Sequence, residues 1–311
     1  MLTKIATAVW NTKRPFLFIA ALSLLLTFFS CTTVPKDSIL LECNQETHIR
    51  QGMDFYPPSW NAETASVTSG WEPVAQGILY TSFSSNQIPL RWHLVSIDLH
   101  NPAIQILAYP TLEQIAGKDS FTGKTTWQFL RDTKATLAVN ANPFKAPLTQ
   151  FLPQRSIVGL FINQGHLISP AISRYSALCF EKKGQLWLPS IISDQTQYPS
   201  QTELALGGFF TILKEGEIQK LPACSLDART AIGISEDNRY LFILYVEGNN
   251  KKKSSGLTYE ESAVILQAAG AWDALQMDGG GSASLSITGK TITGKHHRRA
   301  ANILAFASIF Q

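Results

Sequence analysis

The sequence offers little cysteine, no excess charge over most of its length, and no apolar run long enough to cross a membrane as a helix. Only four of its 311 residues are cysteines, Cys31, Cys43, Cys179 and Cys224. None is spaced as C-x-x-C or set among histidines in a zinc pattern. The three after Cys31 are an odd number and allow at most one internal disulfide, so they read as small buried or free thiols. The formal charge of +3 belongs to Lys4, Lys13 and Arg14, and the remainder carries 23 basic against 23 acidic residues. A neutral body lacks the electrostatic footprint of a nucleic-acid binder, and the His-His-Arg-Arg run at 296–299 is too short to supply one. No Gly-x-Ser-x-Gly elbow is present, which argues against a serine hydrolase. There is no internal repeat.

What is present begins with an N-terminal processing signal. A basic stretch ends at Arg14, and an apolar run of 14 residues follows from Phe16 to Phe29. A spanning helix needs about 20. Ser30-Cys31 then resembles a lipoprotein cleavage site in which Cys31 is acylated and becomes the mature N-terminus, although Phe28 and Phe29 are bulky for the usual pattern. Residues 1–30 are therefore expected to be a lipoprotein-type signal peptide. Residues 31–75, rich in Ser, Thr, Pro and Asn, are expected to be a tether with a short ordered piece around Trp60 and Trp71. The body, residues 76–311, would be exported and held at a bacterial envelope membrane by the lipid on Cys31.

Within the body, short β-prone runs dominate: 78–83, 91–99, 103–108, 136–139, 177–180, 186–188, 204–206, 210–213, 230–234, 240–246 and 274–277. A hairpin is expected between 156–162 and 166–168 across Asn163-Gln164-Gly165. Helices are expected at 125–132 and 259–269. The second has Thr258 as N-cap, Glu261 completing a capping box, and Gly270 as its stop. Ala283, Leu285 and Ile287 alternate with Ser282, Ser284 and Ser286, the pattern of a half-buried strand with a hydroxyl face. A return strand is expected at 291–293 and a final one at 302–309. The expected fold is one α+β domain, a mixed β-sheet core with a few flanking helices.

Chemistry concentrates at strand ends. Asp278-Gly279-Gly280-Gly281-Ser282 follows the strand 274–277. Adjacent glycines are costly to order and persist where backbone must approach something closely or adopt positive φ. Asp278 would present a carboxylate, Ser282 a hydroxyl, and the glycine amides an anion-binding concavity. Taken alone, the run reads equally well as a flexible turn with a solvated Asp. Arg229-Thr230 opens another strand, where a guanidinium is either a solvated flank or a bidentate phosphodiester clamp. Glu247-Gly248 ends the next strand and supplies a second carboxylate, as glycoside cleavage requires. Asn140-Ala141-Asn142 offers side-chain amides for sugar hydroxyls, or an Asx turn before Pro143. Gly207-Gly208 is a further glycine pair after a strand. His166, His296 and His297 lack metal-like spacing and read as surface histidines.

The order of these pieces resembles the phosphodiester glycosidase family. The matching residues are Leu137–Asn140, Ile162–Ser169, Leu206-Gly207-Gly208, Arg229–Ile234, Glu247-Gly248, and Gly256-Leu257-Thr258 through Asp273-Ala274-Leu275 to Met277–Ser282. Arg299 and Asn302 close the series. The resemblance covers about residues 77–311 and is most specific in the last third. It implies hydrolysis of a sugar-1-phosphodiester, an N-acetylhexosamine among the candidates, on an envelope or extracellular glycan. Asp278 and Glu247 would be the carboxylates and Arg229 the phosphate clamp. Asn140, Gly208, Thr230, Gly279, Gly280, Ser282 and Arg299 would line the substrate site. Asp278, Glu247 and nearby carbonyls are hard ligands for a divalent cation, but no spacing demands one and no cofactor is implied. Two departures stand near the site: Ala141-Asn142 where the family has Gly-Gly, and Glu247-Gly248-Asn249 where it has Asp-Gly-Arg. They leave open a second reading, a non-catalytic glycan- or partner-binding lipoprotein on the same fold.

Overall fold

Alternating apolar residues, with turns every eight to twelve positions, give the chain more sheet than an even α/β balance. In the computed structural model 46% of the described residues are in strands and 12% in helices. The described residues are 70–85, 88–115, 120–147, 152–222, 225–294 and 296–309. They belong to one compact unit, Asn44–Gln311. Cys31, Cys43, Cys224 and the apolar run 16–29 lie outside them. Among the described residues no helix is long and apolar enough to cross a membrane, and Cys179 is a buried free thiol.

The largest sheet has eight strands in the order Glu72–Ala75, Ile78–Ser85, Leu90–Asp98, Tyr240–Val246, Arg229–Ile234, Asp273–Gln276, Thr211–Lys214 and Glu217–Ile218. A five-stranded sheet runs His166–Ser169, Phe161–Asn163, Thr202–Gly207, Ala177–Lys183, Leu186–Ile192. A four-stranded sheet runs Leu285–Ile287, Leu137–Asn140, Ile303–Ser308, Ile104–Tyr109. The expectation of a mixed sheet is corrected. Every strand pairing among the described residues is antiparallel. Parallel pairing needs a crossover of a dozen or more residues, usually helical, and this chain has few helices to provide one.

The main core lies where the three sheets meet. Ile97, Ile232, Ile243 and Leu275 of the eight-stranded sheet share one cluster with Val139, Leu285, Phe306, Phe161 and Phe180 of the other two. The helix Tyr259–Ala268 covers the opposite face of the eight-stranded sheet, burying Ala263, Ile265 and Leu266 against Ala231, Phe242 and Leu244. Its capping box forms as its sequence dictates, Thr258 with Glu261. The helix Thr126–Thr133 has its own capping box, Thr125 with Gln128.

Three local expectations are corrected. The 156–162 run divides: Gln154–Ile157 pairs in a separate small sheet, and only Phe161–Asn163 forms the hairpin with His166–Ser169. Residues 291–293 form no strand; Thr293 instead bonds Leu285 through both its backbone N–H and its hydroxyl. The serine face is buried rather than half-exposed. Ser284 is 1% exposed and Ser286 4%, because helix Thr126–Thr133 packs there and the Thr126 and Ser286 hydroxyls bond at 2.9 Å. The strand Glu72–Ala75 pairs with Ile78–Ser85 beside Trp71, where a short ordered piece is expected.

Candidate functional site

Asp278 leaves the strand Asp273–Gln276 at the point where the eight- and four-stranded sheets meet. Its backbone is fixed on both sides: its N–H donates to the Ala141 carbonyl at 3.1 Å, and its carbonyl accepts from Asn140 Nδ2 at 2.7 Å. Asn140 is buried, 1% exposed. Its Oδ1 accepts from Thr230 Oγ1 and from the Ser284 N–H, both at 2.8 Å. One amide thus ties four strand ends together. Asn140 and Thr230 belong to the scaffold that presents Asp278, and their polar atoms are spent on each other.

The glycines let the chain fold back tightly. Gly280 has φ +57 and its N–H donates to the Ala228 carbonyl at 2.8 Å. A Cβ there would stand 3.0 Å from an Asp227 carboxylate oxygen. Gly279 passes Ala228 so closely that a Cβ would meet its carbonyl at 3.0 Å and Arg229 Nη1 at 4.0 Å. The turn carries Ser282 back under Asp278, and Ser282 is 5% exposed. Burial lifts the Asp278 carboxyl from the ordinary 3.8 to about 6, against bonds from the Ser282 hydroxyl and the Gly279 N–H and the nearby Arg298 charge. The Arg298 guanidinium also donates to Ser282 Oγ at 3.3 Å.

Glu247 sits at the end of Tyr240–Val246 in another environment. Its carboxylate meets His93 Nε2 at 3.2 Å, and His93 Nδ1 meets Tyr80 Oη at 2.7 Å. The His93 ring stacks between Tyr80 and Tyr245. The His93 hydrogen bond, outweighing burial, holds Glu247 below the usual glutamate range. Glu247 and the glycine turn flank Ala228 from opposite sides: a Cβ on Gly248 would lie 2.1 Å from Ala228 N, and Gly280 bonds its carbonyl. The two segments are therefore two strand spacings apart, about 10 Å.

Several residues read from the sequence as substrate contacts have other work. Arg229 is 5% exposed, with Nε donating to Leu257 O at 2.8 Å, Nη2 to Ser225 O at 2.6 Å, and its guanidinium 4.3 Å from the centre of the Tyr259 ring. It braces the glycine turn from the helix side. Gly208 is buried because a Cβ would meet the Gln276 carbonyl at 2.5 Å, and its own N–H and carbonyl are bonded to Ser176 and Gln195. Arg299 donates to the Gly123 carbonyl at 3.1 Å and Gln128 Oε1 at 3.2 Å. Asn142 is buried, and its amide donates to Leu160 O at 2.9 Å. Asn249, where the family has Arg, has φ +59 and bonds Asp227 at 2.9 Å.

Three residues at the site escaped the sequence reading. Asp227 lies against Gly280, and its signal was its place two residues before Arg229. Arg298, in a basic run weighed only for nucleic acid, bonds Ser282, and its charge is felt at Asp278. His297 is not a surface histidine. Burial depresses its pKa, it bonds the Ala283 backbone, and its Nε2 has no partner among the described residues. No group of three or more His, Cys, Asp or Glu among the described residues is placed to hold a metal ion.

The chain is similar to known proteins over this region. A family model described as phosphodiester glycosidase matches residues 133–307. In fold it is similar to the catalytic domain of zebrafish N-acetylglucosamine-1-phosphodiester alpha-N-acetylglucosaminidase, auto-inhibited by its pro-peptide. The TM-score is 0.56 at 18% identity, over 76% of this chain and 84% of that one. A Burkholderia pseudomallei protein described as exported matches with a TM-score of 0.55 at 12% identity, over 71% of this chain and 74% of that one. A hypothetical protein from Synechocystis matches at 0.50 and 16% identity, over 75% of this chain and 62% of that one. No curated protein matches the sequence.

Proposed function

This chain belongs to the phosphodiester glycosidase family, and from that premise we propose that it hydrolyses a sugar-1-phosphodiester at Asp278. The observation that carries the reading is the Asp278 cradle: a carboxyl lifted to about 6, bonded to Ser282 and set beside the Arg298 guanidinium. Glu247, kept ionised by His93, is its counterpart. Two carboxyl groups with opposite pKa displacements divide acid and base roles between them.

In the proposed reaction the bond from the anomeric carbon to the phosphate oxygen breaks, and water supplies the new hydroxyl. Asp278, protonated, donates to the departing phosphate. A phosphate is a weakly basic leaving group, so Arg298 carries much of the stabilisation as charge gathers on it. Glu247 accepts the proton from the attacking water and releases it to solvent, and Asp278 is reprotonated from solvent. Asn140, Thr230 and Arg229 act by positioning the Asp278 turn. The sugar proposed is an N-acetylhexosamine, the class named for the zebrafish relative.

The proposal includes the location: a chain exported by its first 30 residues and anchored through a lipid on Cys31. The apolar run, the Ser-Cys junction and the exported description of the Burkholderia relative support it. The test is release of free N-acetylglucosamine from an N-acetylglucosamine-1-phosphodiester by the full chain, against Asp278→Asn and Glu247→Gln. Loss in both variants is expected. A wild-type chain that binds the glycan yet is as inert as both variants would refute the enzyme and leave the binding lipoprotein.

A further inference from the structure

Arg298 lies beside the Asp278 turn, its charge and that of Arg299 are felt at Arg155, and no carboxylate is bonded to any of the three among the described residues. Arg155 is 7% exposed, and its bonds go only to backbone carbonyls: Nε to Arg299 O at 3.2 Å, Nη1 to Leu152 O at 2.8 Å and to Gln154 O at 2.7 Å. Arg299 donates to Gly123 O and Gln128 Oε1, again neutral acceptors. The Arg155 and Arg299 side chains both pack on Gly123: a Cβ on it would stand 2.7 Å from Arg155 Cγ and 3.3 Å from Arg299 Cβ. Arg298 is exposed, reaches Ser282 Oγ, and places its guanidinium carbon 3.6 Å from where a Cβ on Gly281 would be. Gly281, exposed itself, leaves that approach open.

Like charges held close repel, and a bound anion relieves that repulsion. Burial, then Arg298, then Arg299 depress the Arg155 pKa. Asp278 feels the Arg298 charge, so protonation of Asp278 removes a negative charge from beside Arg298.

We propose that this arginine group is the phosphate subsite, with Arg298 as the direct ligand of a phosphoryl oxygen and Arg155 and Arg299 as positioning residues that fix the loop and raise its positive potential. Arg229, spent on carbonyls and on Tyr259, supports the turn instead. The assignment rests on the proposed phosphodiester hydrolysis for its substrate and extends it to the residue that recognises the phosphate. An exposed guanidinium over a glycine recognises the charge and geometry of the phosphate and makes no demand on the group beyond it. The subsite therefore takes any phosphate ester whose sugar fits at Asp278.

Binding of inorganic phosphate to the full chain, followed by 31P NMR titration, tests this without requiring turnover. Arg298→Ala is expected to weaken phosphate binding about 10- to 100-fold, the effect of losing a charge-assisted bond. Arg298→Lys should recover part of it. Arg239→Ala, whose guanidinium pairs with Asp98 on a distant turn, should leave binding unchanged. Phosphate binding equal in wild type and Arg298→Ala overturns the subsite, even if the wild type hydrolyses sugar phosphodiesters. An inert wild type whose phosphate binding still depends on Arg298 supports the subsite and refutes the hydrolase reading. For an active enzyme, a rise in KM and a fall in kcat/KM in Arg298→Ala support it. Arg299→Ala serves as a check on the supporting layer, with a loss smaller than that of Arg298→Ala expected. A larger loss would make Arg299 the ligand and overturn the assignment.

Discussion

Replacing Asn140 by alanine should cost far more than one polar side chain usually does. Its amide makes three bonds, a part-buried one to the Asp278 carbonyl at 2.7 Å and buried ones to Thr230 Oγ1 and the Ser284 N–H at 2.8 Å. A typical bond contributes about 1 kcal/mol net, and a buried partner left unsatisfied costs about 1–3. Thr230 can rotate its hydroxyl to another acceptor, but the Ser284 N–H and the Asp278 carbonyl are fixed by strand geometry. The expected loss is about 3–4 kcal/mol, or roughly 10 °C in Tm for a domain of this size. Urea denaturation followed by tryptophan fluorescence measures it, and hydrolysis by the variant under native conditions should fall with it as the Asp278 turn loosens. Asn140→Asp is the sharper probe: it keeps the Oδ1 acceptor but turns a second oxygen towards the Asp278 carbonyl, so it should be no better than alanine at neutral pH. A double-mutant cycle with Thr230→Val should show coupling well beyond the ~0.3–0.5 kcal/mol scatter of independent sites. A loss below about 1 kcal/mol, or strict additivity in the cycle, refutes the view that this amide is the tie between the sheets.

Other outcomes follow from the same geometry. Between 3.8 and about 6, native Asp278 holds a proton that the unfolded chain has released. That contribution to stability is complete below the lower value and lost as pH rises through the upper one, by at most about 3 kcal/mol at 1.4 per unit. Asp278→Asn should therefore flatten the stability–pH curve there and stabilise the protein above pH 6 while abolishing hydrolysis; an unchanged slope refutes the buried-acid assignment. Activity should decline as pH rises through about 6, where the acid is lost, and a kcat/KM profile that instead rises there reverses the acid role. His93→Phe keeps the stack between Tyr80 and Tyr245 but removes the bond that depresses Glu247, so the acidic limb of the same profile should move to higher pH. Gly280→Ala should lose about 1–2 kcal/mol from φ +57 strain and more from the approach to Asp227, whereas Gly289→Ala, with open space around it, should lose only the strain.

The sequence by itself determined the local structure and the order of the site. Continuous apolar runs such as Tyr240–Val246 and the capped helix Tyr259–Ala268 are encoded by neighbouring residues, and both appear where the pattern places them. Three glycines after a strand marked the turn at Asp278 because nothing but close approach or positive φ justifies their entropy. Tertiary structure decided which atoms of those motifs remain available. Arg229 read as a phosphate clamp because a strand-opening guanidinium suits one, but its partners are the carbonyls of Leu257 and Ser225, 28 residues ahead and four behind. Arg298 and Arg299 are neighbours in sequence with the same chemistry. The backbone sends one to Ser282 and the other to Gly123, and no local pattern distinguishes them. The Asp278 carboxyl owes its position near neutrality to burial, and burial is a property of where the eight- and four-stranded sheets meet rather than of the five residues that form the turn.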